Sequence, residues 1–220
     1  MQFPMKTNAL IALALCVAVA GCGTAKPVDY TGLASSAQLA PNTQDDAGRV
    51  PYRFSTPVDW RHYDSVVIDP VVIYRGSESQ FGTMSDASKT ELANYLQAKF
   101  EKALTKRFTL INGPAPNALR VRLTLTGAAA STPVLSTLTR FDISGGLYNG
   151  VQTVAGGEGM FTGSVIFVTE IFDSETNRLL RADITKQYPS PMNIMATMGS
   201  LAAAKTGIDK GADAMVASLK

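Results

Sequence analysis

Cysteine and histidine are nearly missing from this chain: 220 residues contain two cysteines and one histidine. The cysteines, Cys16 and Cys22, both lie within the first 22 residues. No pair of thiols is left further along, so the fold must stand on its core without a disulfide, even in an oxidising compartment. The lone His62 lacks the second His or the Cys that a mononuclear zinc site would need, or the partners of a nucleophilic triad. It reads as a polar residue in an aromatic-rich segment. Neither a G-x-S-x-G elbow nor a G-x-x-x-x-G-K-[ST] phosphate loop occurs. No catalytic residue, metal or cofactor is therefore expected, and the chain reads as a non-enzyme. A surplus of one charge sign is also lacking: 20 Lys and Arg face 18 Asp and Glu, a net +2. A near-neutral chain is a poor electrostatic match for nucleic acid, so no such partner is expected. Long apolar runs are scarce as well. Leu10 to Ala20 is uncharged but only eleven residues long, whereas a spanning helix needs about 20. With Lys6 ahead of it, the run suits the core of a secretory signal.

What is present begins where that run ends. Val19-Ala20-Gly21-Cys22 resembles the lipobox of bacterial lipoproteins. The resemblance implies a signal peptide over residues 1–21, cleavage between Gly21 and Cys22, and a diacylated (palmitate-type) Cys22 as first residue of the mature chain. The alternative is an ordinary secretory signal with a chance cysteine. Each buried methylene adds about 0.8 kcal/mol of membrane affinity, and two acyl chains already anchor stably. Gly23 stands where enteric-type sorting places an aspartate for inner-membrane retention, which implies the outer membrane. Cleavage would leave 199 residues with a formal charge of +1.

Gly23 to Val50 is rich in Ala, Ser, Thr, Gly and Asp and weak in periodicity. Residues 22–50 read as the lipidated N-terminus and a flexible tether, with a reach of at most about 90–100 Å. Tyr30, Leu33 and Leu39 stand out as residues to dock on the domain or a partner. Residues 51–220 read as one periplasmic domain. Ser65 to Tyr74 predicts a strand covered on both faces, with Pro70 marking a bulge or an exposed side. Asp86 to Arg107 predicts a helix with a Ser88–Glu91 capping box and a buried face of Leu92, Leu96, Phe100 and Ala103. Phe108 to Asn112 is a short strand candidate. "RVRLTLT" alternates, with Val121, Leu123 and Leu125 inward and Arg120, Arg122 and Thr124 outward. "TGSVIFVTEIFD" and "RLLRADITKQY" form a hairpin over "SETN", with Asn177 left-handed and Asp173 capping the turn. Asp183 is expected on the solvent side with Arg181 and Thr185. Asn193 to Leu219 predicts a helix whose stripe is broken only by Lys205. Its glycines weaken it but suit close backbone approach or a kink near Gly207. The fold class is α/β (α+β): a single sandwich domain with about five mostly antiparallel strands and two long helices packed on them.

"DYTGLASSAQL", "WRHYDSVVIDPV" and "TEIFDSETNRLLRADITKQY" resemble a family of proteobacterial envelope lipoproteins catalogued as domain of unknown function 3313. Asp69-Pro70-Val71, Asp173 and Thr176 match its pattern, and Asn177 stands where Gly is usual. The resemblance implies a periplasm-facing domain with no established activity. Three readings follow. The first is a lipid-tethered binding or structural module on the periplasmic face of the outer membrane, with membrane contact through acylated Cys22 and an envelope protein as partner. The second is an oligomeric envelope assembly or secretion accessory, in which the long hydroxyl-rich segment Pro133 to Val154, together with the glycines of "GGEGMFTG", makes subunit contacts. The third is an envelope enzyme. Trp60, Tyr63 and Tyr74 are candidates for one aromatic cluster.

Overall fold

Two long runs rich in β-branched and aromatic residues, on either side of "SETN", pair as an antiparallel hairpin at the centre of one sheet. The protein is described by a computed structural model over residues 27–130, 163–189 and 199–220. In chain order the elements are β1 Ala40–Pro41, β2 Tyr52–Ser55, β3 Ser65–Ile68, β4 Val72–Ile73, α1 Asp86–Leu104, β5 Thr109–Leu110, β6 Ala118–Ala129, β7 Ser164–Asp173, β8 Leu179–Gln187 and α2 Ala202–Ala217. The sheet has eight strands in the order β1-β2-β8-β7-β6-β3-β5, with β4 also paired to β6. The pairs from β1 across to β6 are antiparallel. The strands β3, β4 and β5 join in parallel.

The α+β class is as expected, but the described residues form eight strands rather than about five. Two strands, β1 and β2, come from the Ala40–Ser55 region, which has too few alternating apolar residues to declare itself. The run from Ser65 to Tyr74 divides into β3 and β4 at Asp69-Pro70, because proline has no N–H for the ladder. Both pieces still pair with β6.

The first helix starts under Ser85, whose hydroxyl accepts from the Ser88 N–H at 3.2 Å. The expected Ser88–Glu91 box does not form. Ser88 serves as the capped donor, and the Glu91 carboxylate instead accepts from Lys205 on α2 at 2.6 Å. The helix ends at Leu104, short of Arg107, but the stripe Leu92, Leu96, Phe100 and Ala103 is buried as the spacing predicts. Of the second helix's stripe, Ile208, Ala212, Met215 and Leu219 are buried, while Ile194 and Met198 lie outside the described residues. Lys205 breaks that stripe because it points to Glu91. Gly207 and Gly211 allow α2 to lie on the hairpin. A Cβ at Gly207 would stand 2.9 Å from Val165 Cγ1 and 3.0 Å from the Gln187 carbonyl oxygen, and one at Gly211 would stand 2.5 Å from Phe167 Cζ.

Both helices cover one face of the sheet. Leu92, Leu96 and Phe100 meet Val121, Leu123 and Phe167 there, with the rings of Phe100 and Phe167 edge to face at 5.5 Å. The opposite face carries a second core of Tyr30, Ile166, Val168 and Ile184, bordered by Val28, Leu33, Leu39, Tyr52 and Tyr74. This core corrects the expected tether over residues 22–50. From Val28 onward the chain is docked, because the second face of β7 and β8 is apolar and must be covered. The same cover buries Thr124, expected outward on β6, to 8 % exposure. The signal peptide with Gly21 and Cys22, and the segment Pro133 to Val154, lie outside the described residues.

Candidate functional site

The segment 27–39, here called the strap, is the part of the fold closest in sequence to Cys22. The Tyr30 ring is fully buried and meets the Tyr74 ring edge-on at 5.2 Å. Gly32, with φ +76°, turns the chain there, a conformation that other residues rarely adopt. The Ser36 hydroxyl donates back to the Tyr30 carbonyl at 2.6 Å and accepts from the Leu33 N–H at 3.0 Å, so the turn holds itself. Two carboxylates fasten it to the sheet side. Glu170 on β7, 3 % exposed, accepts from the Ser35 N–H at 2.7 Å. Glu78 accepts from the Thr31 hydroxyl at 2.9 Å and the Tyr74 hydroxyl at 2.7 Å. The Tyr74 hydroxyl, followed by its own backbone N–H and the Thr31 hydroxyl, holds the Glu78 carboxyl down to about 2. Burial pushes the Tyr30 hydroxyl up, and it sits beside Thr126 without a hydrogen bond of normal geometry. Ring packing and the two carboxylate contacts therefore hold the strap, and the Tyr30 hydroxyl adds little.

Three further polar clusters are structural. Asp69, at the break between β3 and β4, accepts from Arg120 Nε at 2.9 Å and Arg122 Nε at 3.0 Å, and Arg122 also lies 5.1 Å from the centre of the Phe172 ring. That explains the aspartate of the Asp69-Pro70-Val71 stretch: it ties the end of β3 to β6. At the hairpin, Asn177 is left-handed (φ +55°) and Asp173 accepts from the Thr176 N–H at 2.9 Å and its hydroxyl at 2.7 Å, as the sequence predicts. The Tyr63 hydroxyl also donates to Asp173, at 3.0 Å. Asp183 departs from expectation. It is 5 % exposed, not solvent-facing, and is held by Arg53 and Arg181, each at 2.7 Å. The cause is β2, which pairs beyond β8 and places Arg53 directly opposite Asp183. Thr185 is buried too.

The aromatic candidates separate. Trp60 and Tyr63 lie 6.4 Å apart, and exposed His62 meets the Tyr63 ring edge-on at 5.6 Å, whereas Tyr74 belongs to the strap. Between the helices runs a groove of about 250 Å³ lined by Lys99, Lys102, Lys106, Asp209 and Asp213. Lys99 pairs with Asp209 at 2.9 Å and Lys106 with Asp213 at 3.0 Å, so the charges mainly cross-brace α1 and α2. Among the described residues, no three His, Cys, Asp or Glu gather to hold a metal. Sequence reasoning marked Tyr30, Leu33 and Leu39 but missed Thr31, Ser35, Glu78 and Glu170. The only available signal was the isolated aromatic and leucine spacing in an otherwise polar stretch.

Comparison with known proteins gives one family. The model for "Protein of unknown function (DUF3313)" matches residues 29–215. No curated protein matches the chain. Among solved structures, the chain is similar to the PelC dodecamer from Paraburkholderia phytofirmans at 10 % identity and a TM-score of 0.38, over 73 % of this chain and 94 % of that one. A point variant of that dodecamer gives 11 % identity and a TM-score of 0.39, over 73 % and 92 %.

Proposed function

The chain belongs to the family described as a protein of unknown function (DUF3313), and from that premise we propose that it is a lipid-anchored, non-enzymatic binding or structural module of the bacterial envelope, on the periplasmic face of the outer membrane. The observation that carries this reading is a juxtaposition. The lipobox-like Val19-Ala20-Gly21-Cys22 is followed within eight residues by Tyr30, which is already buried in the domain. Among the described residues no helix is long and apolar enough to cross a membrane. Attachment would come from acyl chains on Cys22, and the domain's role would be to hold a binding surface within the layer of its envelope-protein partner. Confinement of that kind raises the effective concentration of the partner without any added contact. Labelled palmitate should enter the wild-type protein and not the Cys22→Ser variant, and that variant should leave the membrane fraction. A wild-type chain that takes up no label and is recovered wholly in the soluble fraction overturns the reading.

A second reading, assembly of copies of this chain, is favoured by the β4–β5 side of the sheet. Among the described residues, Val72 and Leu110 there are the exposed large apolar side chains, at 58 % and 43 %. Analytical ultracentrifugation separates the two: Leu110→Lys should shift an oligomer to smaller species, and a wild-type monomer at all concentrations eliminates assembly.

A further inference from the structure

Resting on the lipid-anchored reading, we propose that the strap-bearing face of the sheet is held against the bilayer and that the α1–α2 layer faces away from it. The argument is one of length. A free tether over residues 23–50 would let the domain present any face, since it reaches about 90–100 Å. The docked strap removes that freedom. Tyr30 is fully buried, the Ser35 N–H is bound to Glu170 at 2.7 Å, and Thr31 is bound to Glu78 at 2.9 Å. The chain is thus fixed eight residues after Cys22, and eight residues reach at most about 26–29 Å when fully extended.

A compact chain of this size has a radius of gyration near 16 Å, so its body is about 40 Å across. The path around such a body from the strap side to the helix side is about 60 Å, roughly twice what the remaining chain can span. While the strap is docked, the short anchor therefore favours the strap side over the helix layer as the side on the bilayer. The groove walled by Lys99, Lys102 and Lys106 is left on the averted side, open to partners within the aqueous layer. The membrane-side occupant is the lipid surface that carries the anchor.

The test uses the full chain, lipidated and reconstituted into phosphatidylethanolamine–phosphatidylglycerol vesicles with a headgroup-linked acceptor dye. A donor is attached in one variant at Ala34→Cys, exposed on the strap, and in another at Ala98→Cys, exposed on α1. Energy transfer at position 34 should exceed that at position 98 at least about twofold. A flexible insertion of about 20 residues between Gly23 and Thr24, which leaves every strap contact intact, should bring the two values together. Vesicle flotation is scored on the same samples. Protein that floats with equal transfer at both positions, or a difference that survives the insertion, overturns the orientation and leaves the anchor standing. Protein that does not float removes the anchor and the orientation with it.

Discussion

At the scale of single residues, the hairpin turn makes the sharpest claims. Asn177 holds φ +55°, a region that costs most L-residues about 1–2 kcal/mol. Asn177→Gly should leave stability within a few tenths of a kcal/mol, whereas Asn177→Val should lose at least about 1–2 kcal/mol in urea denaturation. Equal stabilities would show that the turn does not depend on this backbone state. Asp173 adds a pH dependence. Burial pushes its carboxyl up, but the Thr176 N–H and hydroxyl and the Tyr63 hydroxyl outweigh burial and hold it below the ordinary value of 3.8. A carboxylate depressed in the folded state gives stability that is complete above the unfolded value and lost as pH falls through the folded one. Denaturation midpoints should accordingly decline from about pH 4 downward, and Asp173→Asn should flatten part of that decline. The turn was legible because Asn and Asp act locally there, through backbone preference and short-range capping. Asp183 was not, because its burial is decided by Arg53, 130 residues away in sequence.

At the scale of elements, helix propensity and packing oppose each other on α2. Replacing a mid-helix glycine with alanine gains up to about 1 kcal/mol of intrinsic propensity. At Gly211 the new Cβ would stand 2.5 Å from Phe167 Cζ, and that ring is itself locked edge to face against Phe100. Overpacking of this kind costs about 1–3 kcal/mol, so Gly211→Ala should be net destabilising by thermal denaturation; a raised Tm would mean that α2 rides further from the sheet. The strap is the other element with a measurable balance. The Glu78 carboxyl that accepts from the strap's Thr31, held at about 2 rather than the usual 4.5 chiefly by the Tyr74 hydroxyl, contributes fully above pH 4.5 and is lost as pH falls through about 2. Protection factors of strap amides, corrected for intrinsic exchange, should fall across that window, and Glu78→Gln should remove that fall. The helices were readable from the spacing of their buried residues. The α1 cap was misplaced by one turn because Ser85 and Ser88 are equivalent in sequence, and only Glu91's pairing with Lys205 on the other helix separates them.

At the scale of the whole molecule, the sheet is covered on both faces, and one of the covers does not look like structure in the sequence. Periodicity exposes an element that buries one of its own faces. The strap instead lends a few side chains to someone else's face, so Tyr30, Leu33 and Leu39 sit in a stretch whose composition is that of a linker. The strands β1 and β2 were hidden for the same reason, being short and partly exposed. The lipobox-like Val19-Ala20-Gly21-Cys22, in contrast, is a pattern of four adjacent residues and needs no fold to be seen. Since β7 and β8 supply side chains to both cores, the two faces cannot respond independently. Truncating a fully buried aromatic side chain costs about 3–5 kcal/mol, and for a chain of this size each kcal/mol shifts Tm by about 2–4 °C. Tyr30→Ala should therefore lower Tm by roughly 6–20 °C in a single transition. Tyr30→Phe should stay within about 1 kcal/mol of the parent, because the hydroxyl it removes has no normal hydrogen bond. Hydrogen exchange decides whether the strap is part of the cooperative unit: in Tyr30→Ala, amides of β7 and β8 should lose protection together with residues 27–39. Protection lost from the strap alone would make it an independent flap, and the short-tether geometry would then describe only a fraction of the molecules at any moment.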